Sequence, residues 1–215
     1  MRLKVKKKRI KMSGPERLIK AVLDIVVAFF ALLLFSLFII LLIILSTLDT
    51  KQFGLFSQKR VGYKSKLFSM YKIRTMKQVS NVHTTVTTLN DVRITRFGRF
   101  LRRYKLDELP QLINVLLGQM SFVGPRPDVV GFADALKGDY AIILTIKPGI
   151  TGPATLYFRN EERLLAEQEN PEDYNRDVIW PKKVALNKQY IQNYSLLNDF
   201  KYIFYTIFVG YKPIK

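Results

Sequence analysis

Asp107 and Glu108 stand side by side in "KLDELPQL" (105–112), within a chain that is otherwise heavily basic. Neighbouring residues on a helix point about 100° apart, so the two acids cannot share one solvated face. The spacing places Asp107 as the N-cap of a helix, at the positive end of its dipole, where a carboxylate stays ionised and can act as nucleophile or metal ligand. Glu108, one step inside, points elsewhere and can fix a metal or a proton. A plainer reading has Asp107 only capping and Glu108 only meeting Arg103. Arg93, Arg96, Arg99, Arg102 and Arg103 precede the pair, and Arg126 follows between Pro125 and Pro127, which fix the backbone on both sides of it. The planar guanidinium fork matches phosphate oxygens, so carboxylates among such groups point to chemistry on a phosphate ester. A generic basic face drawn to anionic lipid is the competing account. It explains lysine-rich stretches better than a fixed Pro-Arg-Pro.

Composition narrows the chemistry. Lys and Arg total 35 against 17 acids, a formal charge of +18, which calls for an anionic partner: nucleic acid, an acidic membrane surface or a phosphorylated substrate. There is no cysteine and one histidine, His83, so thiolate chemistry, disulfides and a His/Cys zinc site are excluded. Any metal is held mainly by carboxylate oxygens, which suits Mg²⁺ or Mn²⁺.

The positioning elements can be read in outline. Residues 1–20 hold nine basic residues and one acid, and read as a basic cytoplasmic tail. Ile25–Ser46 is 22 residues without charge, Gly or Pro, enough for a helix to cross a bilayer. It is longer than a signal peptide's apolar core, and Thr47-Leu48-Asp49 does not resemble a cleavage site. Both flanks are basic, with Lys51, Lys59, Arg60, Lys64 and Lys66 following, which fits a segment that enters and returns on one face; a single straight span is the alternative. "LFSQKRVGY" and "LFSMYKIRTM" predict a short hairpin or two short strands. Residues 77–90 read as a Thr-rich surface loop, with His83 solvated in it. "DVRITRFGRFLRRYK" is expected to turn at Gly98 into a short helix. Leu109, Leu112, Ile113 and Leu116 form the apolar stripe of the helix that Asp107 would cap, and Gly118 ends it. "IKPGITGPATL" reads as a strand interrupted by turn residues. Residues 160–195 are mostly helical with breaks at Pro171 and Pro181. "LLNDFKYIFYTIFVGYK" reads as an amphipathic helix in the membrane interface, or as a core helix.

"FSQKRVG", "FSMYKIRTM", "DVRITRFGRFLRRYKLDELPQLINVLLGQMSFVGPRP" and "KPGITG" occur in that order. Together they resemble the monotopic phosphoglycosyl transferases, bacterial sugar transferases that start glycan assembly on polyprenyl phosphate. The resemblance runs from about residue 15 to 210 and is most specific over 91–127; it is to the small, single-domain form. It implies an α+β fold: a re-entrant membrane helix (21–48), a catalytic domain (49–195) containing the hairpin, and an interfacial segment (196–215). It further implies transfer of a phosphosugar from a nucleotide-diphosphate sugar, expected to be a UDP-sugar, to polyprenyl phosphate, with Mg²⁺ required. Asp107 falls on the family's nucleophile, which forms a phosphosugar aspartyl intermediate. Glu108 falls on the second acid, and both are the expected metal ligands. Arg102 and Arg126, with Arg93, Lys72 and Arg74, are the expected phosphate-binding residues. The implied setting is the cytoplasmic face of the bacterial inner membrane, with anionic lipid as a partner, no nucleic acid, and a homodimer among the expectations.

The chain departs from the family pattern in three places. Ser36-Leu37 stands where the family commonly carries a helix-breaking Ser-Pro. "TGPATLYFRNEERLLAEQ" replaces a stretch with Trp-Ala-Gln and Asn-Gly-Arg. Asn187 replaces an Asp. The last two lie where sugar or nucleotide is selected, so the donor sugar is not carried over. The rival class is a non-enzymatic, membrane-anchored basic module binding anionic lipid or nucleic acid, whose binding would fall steeply with salt.

Overall fold

The computed structural model describes residues 12–78 and 87–208. The basic tail up to residue 11, most of the Thr-rich segment with His83, and residues 209–215 lie outside the described residues. The fold is mixed helix and sheet, mostly helical, with two small sheets.

Helix α1, Gly14–Thr50, runs without interruption. Ser13 starts it with a capping box: Glu16 N–H donates to Ser13 Oγ, and Ser13 N–H donates to Glu16 Oε2 at 2.7 Å. The apolar run follows, uninterrupted by Gly or Pro, and the helix is long and apolar enough to cross a membrane. The helix break that a re-entrant segment implies does not occur between Gly14 and Thr50. Ser36 Oγ does bond back to the Leu33 carbonyl at 3.2 Å, but one such bond leaves the helical ladder continuous. Lys20, Asp24, Ala28, Ile39, Leu42, Ser46 and Thr50 are buried, which is a stripe along one face, while the other faces stay bare and apolar.

That stripe meets the rest of the chain at both ends. Near the N-terminus, Asp24 Oδ1 accepts from Phe122 N–H at 3.3 Å, and Lys20 Nζ donates to Asp199 Oδ2 at 2.6 Å. Ala28 packs with Phe68, Met70, Val115 and Met120. Near the C-terminus, Leu42 packs with Ile73 and Leu101, and Ser46 Oγ donates to the Arg74 carbonyl at 2.6 Å.

Strands β1, Leu55–Val61, and β2, Leu67–Ile73, form the expected antiparallel hairpin, with Leu55 opposite Ile73 and Val61 opposite Leu67. Phe68 and Met70 face inward at alternate positions, and Lys72 follows on the same face by the period of two. Helix α2, Arg96–Arg103, is capped by Thr95, whose Oγ1 accepts from Gly98 N–H at 2.8 Å. Gly98 therefore lies inside the helix rather than at its start. Its role is close approach: a Cβ there would lie 2.1 Å from the Thr75 carbonyl oxygen. Helix α3, Gln111–Leu116, buries Leu112 and Val115 and ends at Gly118, which takes a left-handed φ of 70°, as expected of a terminating glycine.

Strands β3, Ser121–Val123, and β4, Gly149–Thr151, pair in parallel, Ser121 opposite Gly149. They abut so closely that a Cβ at Gly149 would lie 2.1 Å from the Gly124 nitrogen. "KPGITG" thus supplies a short strand rather than a long interrupted one, and braces the turn that carries Arg126 from behind. Helices α4, Pro153–Tyr157, and α5, Glu161–Ala166, follow. Helix α6, Pro171–Tyr174, runs through a widened π turn, Asn175–Ile179, into α7, Trp180–Gln192. Pro171 starts a helix as expected. Pro181 does not break one: it sits in the first turn of α7, directly after the widened π turn, and the helix continues through it. Helix α8, Leu196–Ile207, turns Tyr202 and Ile203 into the main cluster around Val123, Ile143, Val184 and Ile191. Its Leu197, Phe200, Phe204 and Ile207 remain exposed. The helix is both a core element and the bearer of a bare apolar face.

Candidate active site

Asp107 and Glu108 lie in a 3₁₀ turn, Leu106–Glu108, between α2 and α3. Lys105, at a left-handed φ of 57°, reverses the chain to form it. Asp107 caps no helix. Leu109, Leu112 and Ile113 bond back three residues, to Leu106, Leu109 and Pro110, so the tight turn persists until Gln111. Pro110 offers no N–H to an earlier carbonyl, which is why the regular helix starts only after it. The result is a pair of side-by-side acids that are both buried, with different surroundings.

Glu108 is clamped. Arg126 Nη2 donates to its Oε1 at 2.6 Å and Nη1 to its Oε2 at 3.2 Å, while Lys72 Nζ reaches Oε1 at 3.5 Å. Burial by itself raises the Glu108 pKa, but the charges of Arg126 and Lys72 and the Arg126 hydrogen bonds outweigh it and hold the group well below the carboxylate range. Glu108 therefore carries no proton at neutral pH. Asp107 is different: no hydrogen-bond donor among the described residues reaches its Oδ1, although that atom is buried. Burial raises its pKa, Lys72 and Arg102 pull it back, and the Glu108 charge adds to the rise. A buried carboxylate oxygen among cations, with no partner among the described residues, is open to accept a ligand or a proton.

The cations are brought there by specific contacts. Asn114, fully buried on α3, donates through Nδ2 to the Ser69 carbonyl at 2.8 Å and accepts from Tyr71 N–H at 3.0 Å. The side-chain amide thus acts like a further strand edge, and docks β2 so that Lys72 arrives beside Glu108. Burial lowers the Lys72 ammonium to about 8, with Glu108 opposing. Arg126 is held from below by its turn: Val61 N–H donates to the Asp128 carbonyl at 2.9 Å and Gly149 N–H to the Pro125 carbonyl at 2.8 Å. The charge of Glu108 and its hydrogen bonds raise the Arg126 pKa further, so it stays a cation. Arg102, on α2, acts electrostatically on Asp107 and pairs with Glu162 of α5.

Five of the expected residues thus gather: Asp107, Glu108, Arg102, Arg126 and Lys72. Two are engaged elsewhere. Arg74 Nε donates to the Phe53 carbonyl at 2.9 Å, with its guanidinium over the Phe56 ring. Arg93 closes on Asp91, Nη2 to Oδ2 at 2.6 Å. The sequence reading missed Arg60, Asp128, Lys183, Glu161 and Glu162. Arg60 lies near Arg126, and burial lowers it to about 10; burial raises Asp128 to about 6, with Lys183 and Arg60 opposing. Lys183 Nζ donates to Glu161 Oε1 at 2.7 Å. For Arg60 a signal existed, since it stands in the "FSQKRVG" motif. The others arrive through the packing of α5 and α7, which no local pattern encodes.

For a magnesium ion the donor set fits. Among the described residues no group of three acidic or histidine side chains could hold a metal alone. Magnesium, however, commonly takes one or two carboxylates and fills its shell with water and substrate phosphates. Asp107, with its unpartnered Oδ1, and Glu108 beside it supply that number.

The profile of the family described as bacterial sugar transferase matches residues 15–213. The chain is 38% identical over 206 residues to the UDP-glucose:undecaprenyl-phosphate glucose-1-phosphate transferase of Escherichia coli (strain K12), a match covering 93% of this chain and 42% of that protein. It is 36% identical over 199 residues to the exopolysaccharide production protein PSS of Rhizobium leguminosarum bv. phaseoli, covering 88% of this chain and 93% of the relative. With the uncharacterized sugar transferase EpsL of Bacillus subtilis (strain 168) it shares 33% over 190 residues, covering 88% and 86%. The chain therefore spans about two fifths of the length of the first relative and most of the length of the other two.

Proposed function

The chain belongs to the bacterial sugar transferase family, and from that premise we propose that it transfers a phosphosugar from a nucleotide-diphosphate sugar, a UDP-sugar, to polyprenyl phosphate. The observation that carries this reading is the contrast within the acidic pair: Glu108 clamped and ionised by Arg126 and Lys72, and Asp107 buried with a carboxylate oxygen left unpartnered. A module that needed only a basic surface would have no use for two buried acids among cations.

In the proposed reaction an Asp107 carboxylate oxygen attacks the phosphorus attached to the sugar. The bond from Asp107 oxygen to phosphorus forms as the bond from phosphorus to the bridging oxygen breaks, and the nucleoside monophosphate leaves with that electron pair. An oxygen of the lipid phosphate then attacks the same phosphorus. The aspartyl bond breaks, the carboxylate is restored, and the polyprenyl-diphosphate sugar is released. The two-step route replaces one difficult transfer between anions by two easier ones. Lys72, Arg102 and Arg126 orient the phosphates and lower the repulsion as one anion approaches another. Glu108 holds Arg126 and Lys72 in place, and its low pKa suits metal or cation positioning rather than proton transfer. Magnesium, when bound through Asp107 and Glu108, would withdraw charge from the phosphoryl oxygens.

The proposed setting is the cytoplasmic face of the bacterial membrane. A helix rises about 1.5 Å per residue, so Lys20 and Thr50 lie roughly 45 Å apart along α1. One and the same domain packs against both ends. A helix passing through about 30 Å of hydrocarbon and leaving the domain behind could not do that. The packing supports a helix whose two ends stay on one side, with the bare faces of α1 and α8 turned to lipid. Release of nucleoside monophosphate from UDP-sugars, dependent on polyprenyl phosphate and Mg²⁺, tests the function; a donor panel that yields none would overturn it.

A further inference from the structure

Arg126, Arg102 and Lys183 each have a carboxylate partner, but the pairs are not equivalent. The Arg126–Glu108 pair is anchored on a side chain only 9% exposed. The carboxylates of the two pairs made by α5 are more open: Glu162, on Arg102, is 34% exposed, and Glu161, on Lys183, is 27% exposed, although Arg126 at 31% is itself more open than Arg102 at 21%. A partly solvated ion pair separates at little cost, whereas removing one partner of a buried pair strands the other charge. Substrate phosphates can therefore take Arg102 from Glu162, which can turn to solvent, more easily than Arg126 from Glu108, whose buried charge would be stranded.

Arg102 is poised for such an exchange. Nη2 holds Glu162, Nη1 reaches Thr75 Oγ1 only at 3.4 Å, and the buried Nε has no partner among the described residues. Its charge falls on Asp107. The Glu162 backbone is fixed, because its carbonyl accepts from Leu89 N–H at 3.0 Å and neighbouring Leu165 is buried. Only the side chain is free to swing. A carboxylate tethered beside a guanidinium competes at a high effective concentration with any anion that needs the same fork.

We propose that Glu162 is a tethered competitor for phosphate at Arg102, which lowers the affinity for the donor diphosphate and for the departing monophosphate alike and so speeds product release. The inference rests on the phosphate-binding role assigned to Arg102 above. It concerns Glu162 alone and involves no change in the covalent steps. Glu161 on Lys183 is the neighbouring pair of the same design.

The test is equilibrium binding of inorganic pyrophosphate, by calorimetry, to the purified full chain in detergent. Glu162→Gln is expected to bind pyrophosphate five-fold or more tightly than the unaltered protein, and Glu162→Ala to do the same. In an Arg102→Gln background the gain should vanish, an outcome that a merely structural role for Glu162 would not give. In turnover the Glu162→Gln protein should show a lower donor KM and stronger inhibition by nucleoside monophosphate. Equal or weaker pyrophosphate binding by both Glu162 variants would overturn the proposal, as would the same gain in the Arg102→Gln background. If the unaltered protein releases no monophosphate from any donor while the binding gain is seen, the transferase reading fails and the competitor role of Glu162 stands.

Discussion

Arg126 closes its guanidinium on Glu108, Nη2 to Oε1 at 2.6 Å and Nη1 to Oε2 at 3.2 Å, from a turn flanked by Pro125 and Pro127 and braced by β4. Arg126→Lys keeps the charge and loses the fork. The expected outcome is a fall in kcat/KM of about tenfold or more, about 1.4 kcal/mol of transition-state stabilisation. Steady-state kinetics of the lysine variant check it; values near those of the unaltered protein would reduce Arg126 to bulk charge.

The pH profile should be bell-shaped. Burial raises the Asp107 pKa, so the acid limb should lie above the range of an ordinary aspartate, with activity rising as the carboxyl ionises. Burial lowers the Lys72 ammonium to about 8, so activity should fall as pH rises through that value and the charge facing the phosphates is lost. Arginine stays charged throughout, so Lys72→Arg should remove the alkaline limb. An alkaline limb unchanged in that variant would assign it to another group.

Much of this arrangement was legible in the chain. The aromatic and β-branched runs around "KSK" mark the hairpin, and the glycine at 118 marks a helix end. The errors have local causes. Asp107 was expected to cap a helix because the pattern cannot tell a helix start from a 3₁₀ turn. The left-handed Lys105 and the missing N–H of Pro110 decide between them. Gly98 reads as a turn in the sequence, yet it lies in a helix pressed against Thr75. Lys183, Glu161 and Glu162 were invisible because packing of remote helices brings them to the site, and no periodicity records that.

Gly98→Ala provides a test of that close approach. Helix propensity favours alanine by about 1 kcal/mol. The new Cβ would lie 2.1 Å from the Thr75 carbonyl oxygen, and main chain cannot yield as a side-chain tip can. The clash should prevail and destabilise the protein by about 2 kcal/mol. Thermal unfolding in detergent checks it, with a Tm several degrees lower; an unchanged or raised Tm would show that α2 can move away from Thr75.

The same-side placement of α1 is open to direct labelling, since the chain has no cysteine. Gly14 has open space around it and Lys66 is exposed, so Gly14→Cys and Lys66→Cys should be tolerated. In intact cells a membrane-impermeant thiol reagent should spare both, and should label both after permeabilisation. Labelling of Lys66→Cys with protection of Gly14→Cys would establish a true span.

The most direct test of the central claim is the intact mass of the protein after incubation with a UDP-sugar and Mg²⁺ in the absence of lipid acceptor. The unaltered protein should gain the mass of one phosphosugar and lose it again when polyprenyl phosphate is added. Asp107→Asn, whose amide is a very poor nucleophile toward phosphorus, should show neither adduct nor turnover. A phosphosugar adduct on the Asp107→Asn protein would contradict the assignment of Asp107 as the nucleophile.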